Sequence, residues 1–322
     1  MQTPTNDTRN ALLALIGVQV LFGLHYSVAK EITAHISPLA WTLWRVGGAT
    51  LLLLPLLPLL KRPWPRSFNA WWILGVLGAF GIGINQLLFN EGISRSHAIH
   101  SVLMMATIPT QTLVFGVLLK QERFTYPKVI SVLAGLVGVA LLVDLPEILS
   151  GQGSWLVDRD GNAVASFWDT ILAGNLMMLT NAASFSFFLV LSRRYKERFD
   201  TLTLTVGTYI GGLVVILPFC VSPMLSVDYS AVPLIVWLLG VFVVLGPTIG
   251  TYFLNFYAVR RVAASVVGLF VYLQFLVATL TATIWHGESL DLTTGVAAVF
   301  LLGGLGVRFL WPRQKKKPQM GS

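Results

Sequence analysis

Cysteine occurs once in this chain, at Cys220, which excludes an intramolecular disulfide framework and a Cys-rich metal centre and says little about redox compartment. Charge is scarce as well: Asp, Glu, Lys and Arg make up 11% of 322 residues, against 55% hydrophobic residues and a mean hydropathy of +0.74. That is too little polar surface to clothe a soluble core of this size. The HExxH, GxSxG and Walker patterns are missing, as are paired carboxylates inside an apolar run, which disfavours a membrane-embedded enzyme. No loop is long enough to hold the signalling domain of a receptor or sensor. The net charge of +8 would suggest nucleic acid in a soluble domain, but here it is spread over loops that face anionic lipid headgroups, so no nucleic-acid partner is expected. No cofactor and no metal site is expected either.

What the chain does have is ten apolar runs: Asn10 to Ala29, Pro38 to Leu60, Ala70 to Phe89, Ile99 to Leu119, Pro127 to Leu145, Thr170 to Leu191, Leu202 to Val221, Pro233 to Tyr257, Val262 to Trp285 and Leu292 to Leu310. Each approaches the roughly 20 residues that carry a helix across a bilayer. The first run is full length and lacks a small-residue cleavage site, so it reads as a retained span rather than a signal peptide. Eighteen of the 22 Lys and Arg residues fall in alternate gaps or at the ends: Arg9, Lys61 to Arg66, Lys120 to Lys128, Arg193 to Arg198, Arg260 and Arg261, and Arg308 to Lys317. Ten of the 14 acids fall on the other side. Loops rich in Lys and Arg stay cytoplasmic, so the pattern predicts an all-α integral membrane protein of ten transmembrane helices with both termini inside, in the inner (plasma) membrane.

The basic loops of the first five spans correspond to loops of the last five that hold no Lys or Arg, the inversion expected when an odd-numbered repeat enters the membrane upside down. A shift of 166 residues overlays Asn85 to Gly138 on Thr251 to Gly304 and matches Leu88 with Leu254, Arg95 with Arg261, Ala98 with Ala264, Leu103 with Leu269, Glu122 with Glu288 and Gly138 with Gly304. The expected division is residues 10–145 as a first five-helix repeat, 146–169 as an extracytoplasmic linker and 170–311 as a second, inverted repeat. Within the linker, Trp155-Leu156-Val157, Asp160-Gly161 and Ala163-Val164-Ala165 read either as a small hairpin or as a plain surface loop.

The stretch Gly83-Ile84-Asn85-Gln86-Leu87-Leu88-Phe89, the turn Arg95-Ser96-His97-Ala98, Pro109 and Glu122 resembles the third and fourth helices of an EamA-type member of the drug/metabolite transporter superfamily. Tyr272-Leu273-Gln274-Phe275 with Glu288 resembles the corresponding segment of the second half, and Trp44-Arg45 the helix-two arginine. The family often carries Pro where this chain has Phe275, which removes the basis for a kink in helix nine. The resemblance covers about Ala11 to Leu310 and implies a ten-helix carrier, commonly an exporter of amino acids, metabolites or drugs, with a cavity between its halves.

Polar residues inside the apolar runs mark candidate cavity positions, because hydrocarbon cannot satisfy them. Gln86 and Asn90 lie one turn apart on helix three; Thr248, Tyr252 and Asn255 recur on helix eight; His100, Met104, Thr107 and Gln111 form a stripe on helix four. Helix one offers Gln19, Tyr26 and Lys30, helix nine Tyr272 and Gln274, and helix two the aromatic Trp41 and Trp44. Any one of these can instead be interhelical glue. Gly75, Gly78 and Gly81, Gly207 and Gly211, and Gly246 and Gly250 favour close helix packing, while Pro109 and Pro247 free backbone carbonyls and offer hinges. Helices five and ten, nearly devoid of interior polar groups except Ser131, are expected to face lipid, neighbours or a second subunit, leaving monomer and homodimer both open.

Arg45 is the deepest charge, and its expected role is a structural anchor that reaches outward to Glu31, Glu91 or carbonyls near Trp41, in preference to gripping a substrate carboxylate. Glu122 and Glu288 are expected to cap or pair at the starts of helices five and ten. The functional expectation is a secondary transporter that exports small amphipathic metabolites, amino acids foremost. Its partners are then a small-molecule substrate and the lipid bilayer. The rivals are a nucleotide-sugar carrier, which needs more buried cations than Arg45 alone, and a drug or quaternary-amine carrier of the same fold.

Overall fold

Small polar residues just before the apolar runs set where helices begin. In the computed structural model, which describes residues 6–122, 125–145, 149, 156–195, 197–259, 261 and 270–310, Ser37, Ser67, Thr170 and Asp200 each accept a backbone N–H from the first turn that follows. Those N–H groups have no carbonyl partner within the helix, so a side-chain oxygen there removes an unsatisfied donor. Pro38 stands in the first turn of its helix, where a missing N–H costs nothing.

In chain order the segments are α1 (Asn6–His35), α2 (Pro38–Leu53, followed by the turn Leu56–Leu59), α3 (Phe68–Arg95), α4 (Ala98–Leu118), α5 (Tyr126–Leu142), α6 (Ile171–Arg193), α7 (Thr201–Leu225), α8 (Leu234–Gly250, continued as Thr251–Val259), α9 (Val271–His286) and α10 (Leu292–Leu310). Among the described residues, α1 to α4 with α6 and α7 are long and apolar enough to cross a membrane, and α5, α8, α9 and α10 are shorter apolar helices. Residues 262–269, the first part of the ninth apolar run, lie outside the described residues. No β-strand forms among the described residues; one isolated antiparallel bridge joins Val157 to Ala163 around a turn in which Gly161 takes φ 83°. The outward face is apolar: Leu136, Phe219, Leu238, Ile284 and Val299 are all more than half exposed. Such a surface is a liability in water and the right one for lipid.

Among the described residues, two helices contain a π-helical turn, Ala79–Gly83 in α3 and Val244–Gly250 in α8. The 166-residue offset between the halves carries the first onto residues 245–249, inside the second. Pro247 explains the break in α8: it has no N–H to give the carbonyl of Val243, and the Thr248 hydroxyl donates to that carbonyl instead, at 2.8 Å. In α3 the carbonyl of Phe80 accepts from the Ser184 hydroxyl of α6 at 2.6 Å. The helix of α4 is interrupted at Ala106 and Thr107, just before Pro109, and there the Thr107 hydroxyl donates to the carbonyl of Met104. Kinks with such causes are positions where a helix bends without leaving polar backbone in hydrocarbon.

Packing follows an exchange of partners. α1 lies against α8 and α9, while α6 lies against α3 and α4; α2 and α3 pack on α7, and α5 packs along α10. The matched glycines Gly138 and Gly304 both sit in that last contact, where a Cβ would meet Leu301 at 2.5 Å and Ala134 at 2.8 Å. Helices five and ten therefore bury one face on each other and turn Leu133, Leu136, Val299 and Phe300 outward. Of the glycines singled out for close packing, Gly78 and Gly211 meet the requirement at the α3 and α7 contact, a Cβ on Gly78 falling 2.4 Å from the Thr208 carbonyl oxygen. Gly75 is different, with nothing within 4 Å of a Cβ placed on it.

Candidate functional site

Two regions collect polar side chains. The interior one is built on Phe89 of α3, a buried ring against which α1 stacks His25 with centroids 4.9 Å apart and a 7° interplanar angle. Tyr26 tilts against the same ring at 5.8 Å, and the Arg45 guanidinium carbon of α2 lies 5.8 Å from its centroid. Arg45 Nε donates to the Thr248 hydroxyl at 3.3 Å, so the guanidinium is tied to the π-helical turn of α8. The Tyr26 hydroxyl in turn accepts from Gln274 of α9 at 3.1 Å.

Arg45 is 6% exposed, and Glu31 and Glu91 do not reach it. Glu31 lies beside His35, and Glu91 pairs with Arg95 one turn along its own helix. This corrects the expected outward anchor: the side chain turns inward and across to α8. An Arg at the centre of a membrane helix costs about 2.5–3.5 kcal/mol by insertion scales, which leaves it in need of compensation. Arg45 Nη1 has no hydrogen-bond partner among the described residues, and neither do His25 Nε2, Trp41 Nε1, Gln19 Oε1, Gln86 Oε1 and Asn90 Oδ1. Most buried polar atoms in proteins are partnered, so such a concentration needs a reason.

The second region lies where the loop after α9 meets α1 and α4. Glu288 accepts the N–H groups of Ala98 and Ile99 at 2.8 and 3.0 Å and a short hydrogen bond from Lys30 Nζ, with His97 Nδ1 3.7 Å away. Glu288 thus caps α4, not α10, whose first turn is capped by Asp291, its carboxylate accepting from Thr294 N–H at 2.8 Å. Burial alone would raise the Glu288 pKa, but His97, Lys30 and the Ala98 N–H outweigh it and hold the carboxyl well below the usual range. Glu122 pairs with Lys128 at the start of α5 and with Arg193. A cavity of about 400 Å³ opens beside Glu288, lined by Lys30, His97, His100, His286, Asp291 and Thr294 among others. A neighbouring one of about 370 Å³ is lined by Arg95, Asp158, Arg159 and Asp169.

The other candidate positions divide between these regions and plain glue. Asn90 donates to Thr42 of α2 at 2.8 Å, and Gln86 donates to Asn85, which exchanges two hydrogen bonds with Asn181 of α6. Trp41 is buried and fills the space left by Gly240, where a Cβ would lie 3.1 Å from the ring. Trp44 is 42% exposed and donates to Tyr229, away from the buried set. Thr107 and Gln111 bond to each other at the α4 break, and Gln111 also reaches the Leu179 carbonyl. Gln19 is buried on α1. The side chains of Tyr252, Asn255 and Tyr272 lie outside the described residues. His25 and Phe89 were not anticipated as site residues; a His five residues before Lys30 and one turn after Leu21 on an apolar span is a signal, but only the fold brings it to Phe89.

An apolar exterior, a helical fold and polar groups gathered within it define a multi-pass membrane protein. The chain belongs to the EamA-like transporter family, which it matches over residues 9–144 and 172–309, and so to the drug/metabolite transporter superfamily. Among its relatives is the uncharacterized transporter YdfC of Bacillus subtilis (strain 168), 26% identical over 304 residues that cover 92% of this chain and 90% of YdfC. YyaM of the same organism, likewise an uncharacterized transporter, is 23% identical over 71% of this chain and 70% of its own. An uncharacterized transporter of Archaeoglobus fulgidus is 24% identical over 88% of this chain and 93% of its own. A solved crystal structure with 18% sequence identity superposes with a TM-score of 0.60, covering 97% of this chain and all of that one, which shows the shared fold.

Proposed function

We propose that this protein is a secondary transporter that exports small amphipathic metabolites, amino acids foremost, across the inner (plasma) membrane by alternating access. All ten segments span the bilayer in this reading, as two inverted five-helix repeats with both termini in the cytoplasm. The observation that carries it is the exchange of partners between the halves: α1 stands to α8 and α9 as α6 stands to α3 and α4, and the π-helical turns fall at matching places in α3 and α8. Inverted repeats give a carrier two related conformations that open to opposite sides, and broken helices at matched positions supply the hinges. Aromatic Trp41, Tyr26 and Phe89 with amides Gln19, Gln86 and Asn90 suit a solute with both apolar and polar parts.

The test is counterflow of labelled amino acids and other small metabolites into proteoliposomes preloaded with unlabelled solute. Accumulation above protein-free liposomes is expected for at least one amino acid, and its absence for the whole set would defeat this reading. Orientation is checked separately in a Cys220→Ala background. Single cysteines at Arg62 and Arg194 should be shielded from an impermeant thiol reagent added outside, while one at Asp158 should react; labelling at Arg62 would reverse the topology.

A further inference from the structure

We propose that Arg45 seats the carboxylate of the substrate, and that the amide oxygens of Gln86 and Asn90 take an adjacent ammonium, so that the interior site selects α-amino acids. This deepens the transport reading and rests on it for the physiological role, though not for binding.

Four observations converge. Arg45 is buried without an Asp or Glu partner among the described residues, the condition under which a cation in hydrocarbon is normally neutralised by something. Its Nε is already held by Thr248 and its guanidinium carbon lies 5.8 Å from the Phe89 ring centroid, so the guanidinium is positioned before any ligand arrives, yet Nη1 has no partner among the described residues. Trp41 stands one helical turn before Arg45 on α2 and also has an unused N–H, which places two donors on one face. Across from them, α3 carries Gln86 and Asn90 one turn apart, each with its N–H₂ engaged and its oxygen unpartnered. The Asn90 to Thr42 hydrogen bond joins these two faces. Donors on α2 and acceptors on α3 match the two ends of a zwitterion. Arg suits a carboxylate because its planar fork can give two parallel hydrogen bonds, which a Lys ammonium cannot.

Structural use of Arg45 is the competing account, and it predicts different results. Thermal unfolding of the purified, detergent-solubilised protein is measured without ligand and with millimolar L-amino acids, the corresponding amino-acid amides, the decarboxylated amines and the N-acetyl amino acids. The wild type should be stabilised by at least one amino acid, less by its N-acetyl form, and not by the amide or the amine. Arg45→Gln should keep the ligand-free melting temperature and weaken apparent affinity for the amino acid by about 10- to 100-fold, the loss of one charge-assisted hydrogen-bonded contact. Arg45→Lys should recover part of it, while Gln86→Leu should reduce discrimination against the N-acetyl form. Equal stabilisation by amides or amines, no stabilisation by any amino acid, or an Arg45→Gln protein that binds as the wild type does, each overturns the proposal. Transport is read independently by counterflow, so a protein that binds amino acids through Arg45 but carries none would sink the transport reading and leave the site standing.

Discussion

Lys30 and Arg45 are buried to nearly the same degree, 7% and 6% exposed, and lie on adjacent helices, yet the protein treats them in opposite ways. Lys30 is neutralised in full: Glu288 takes its proton donor, takes two N–H groups of α4 as well, and has His97 beside it. Arg45 receives, among the described residues, one neutral hydroxyl and the face of an aromatic ring. The first arrangement locks α1, α4 and the loop after α9 together at one end of the molecule. The second leaves unspent interaction strength in the interior. Burial of a cation is therefore not one signal but two, and the carboxylate count around it separates a structural clasp from a site that a ligand completes.

The largest effect is expected at the clasp. Glu288→Ala strands Lys30 and uncaps Ala98 and Ile99, and removal of one partner of a buried pair costs about 3–5 kcal/mol. Lys30→Met combined with Glu288→Met should restore part of that loss, since no unpaired charge remains, but not all, since the α4 cap is still missing. Thermal melting of the three variants checks this, and a Glu288→Ala protein as stable as the wild type would dissolve the contrast with Arg45.

The acid dependence of the clasp has a definite sign. Burial opposes ionisation of Glu288, but His97, Lys30 and the Ala98 N–H together hold its folded pKa below that of an unfolded glutamate. The unfolded chain then binds the proton first as pH falls, so the stabilisation is whole above the ordinary glutamate value of about 4.3 and is lost below it, toward the folded value. The melting-temperature difference between wild type and Glu288→Gln should stay level from about pH 8 to about pH 5 and shrink only under more acid conditions. A difference that collapsed already near pH 6 would contradict a lowered Glu288 pKa in the folded protein.

Arg45 should behave oppositely when its charge is deleted. Arg45→Met removes a cation that has no carboxylate partner among the described residues together with its hydrogen bond to Thr248, two terms of opposite sign, so ligand-free stability should change by no more than about 1 kcal/mol. Melting in the absence of amino acids reads this directly. A loss as large as that of Glu288→Ala would make Arg45 a second clasp.

Different parts of this arrangement were legible to different degrees. The apolar runs gave the helices and the membrane, because length and hydropathy suffice for that. Arg45 was recognisable as the deepest charge, but its direction was not, since a side chain seven residues inside a helix end can snorkel out or reach across. Glu288 is expected from the sequence to cap or pair at the start of α10; it does pair, with Lys30 of α1, but the fold carries its capping to α4, a contact across 190 residues that no local pattern encodes. The π-helical turn of α8 was foreshadowed by Pro247, whereas that of α3 has no proline and declares itself only through the Phe80 carbonyl bonded from Ser184. Asn85 and Asn181 belong to the same class: each is unremarkable alone, and their paired hydrogen bonds exist only because α3 and α6 meet.

The smallest expected effect guards against reading every unpartnered atom as a site. Ser131 of α5 is buried, and its hydroxyl oxygen, like Arg45 Nη1, has no hydrogen-bond partner among the described residues. It differs in being neutral, alone on its helix and next to the α10 packing face, where a Cβ on Gly304 would come within 3.3 Å of the Ser131 carbonyl oxygen. A buried hydroxyl that makes no bond has lost its hydration without return, so Ser131→Ala should leave melting unchanged or raise it slightly, by less than about 1 kcal/mol, and leave amino-acid stabilisation intact. Loss of that stabilisation in Ser131→Ala would mean that the ligand response is a general property of helix packing, and the distinction drawn between α2 and the rest of the interior would fail.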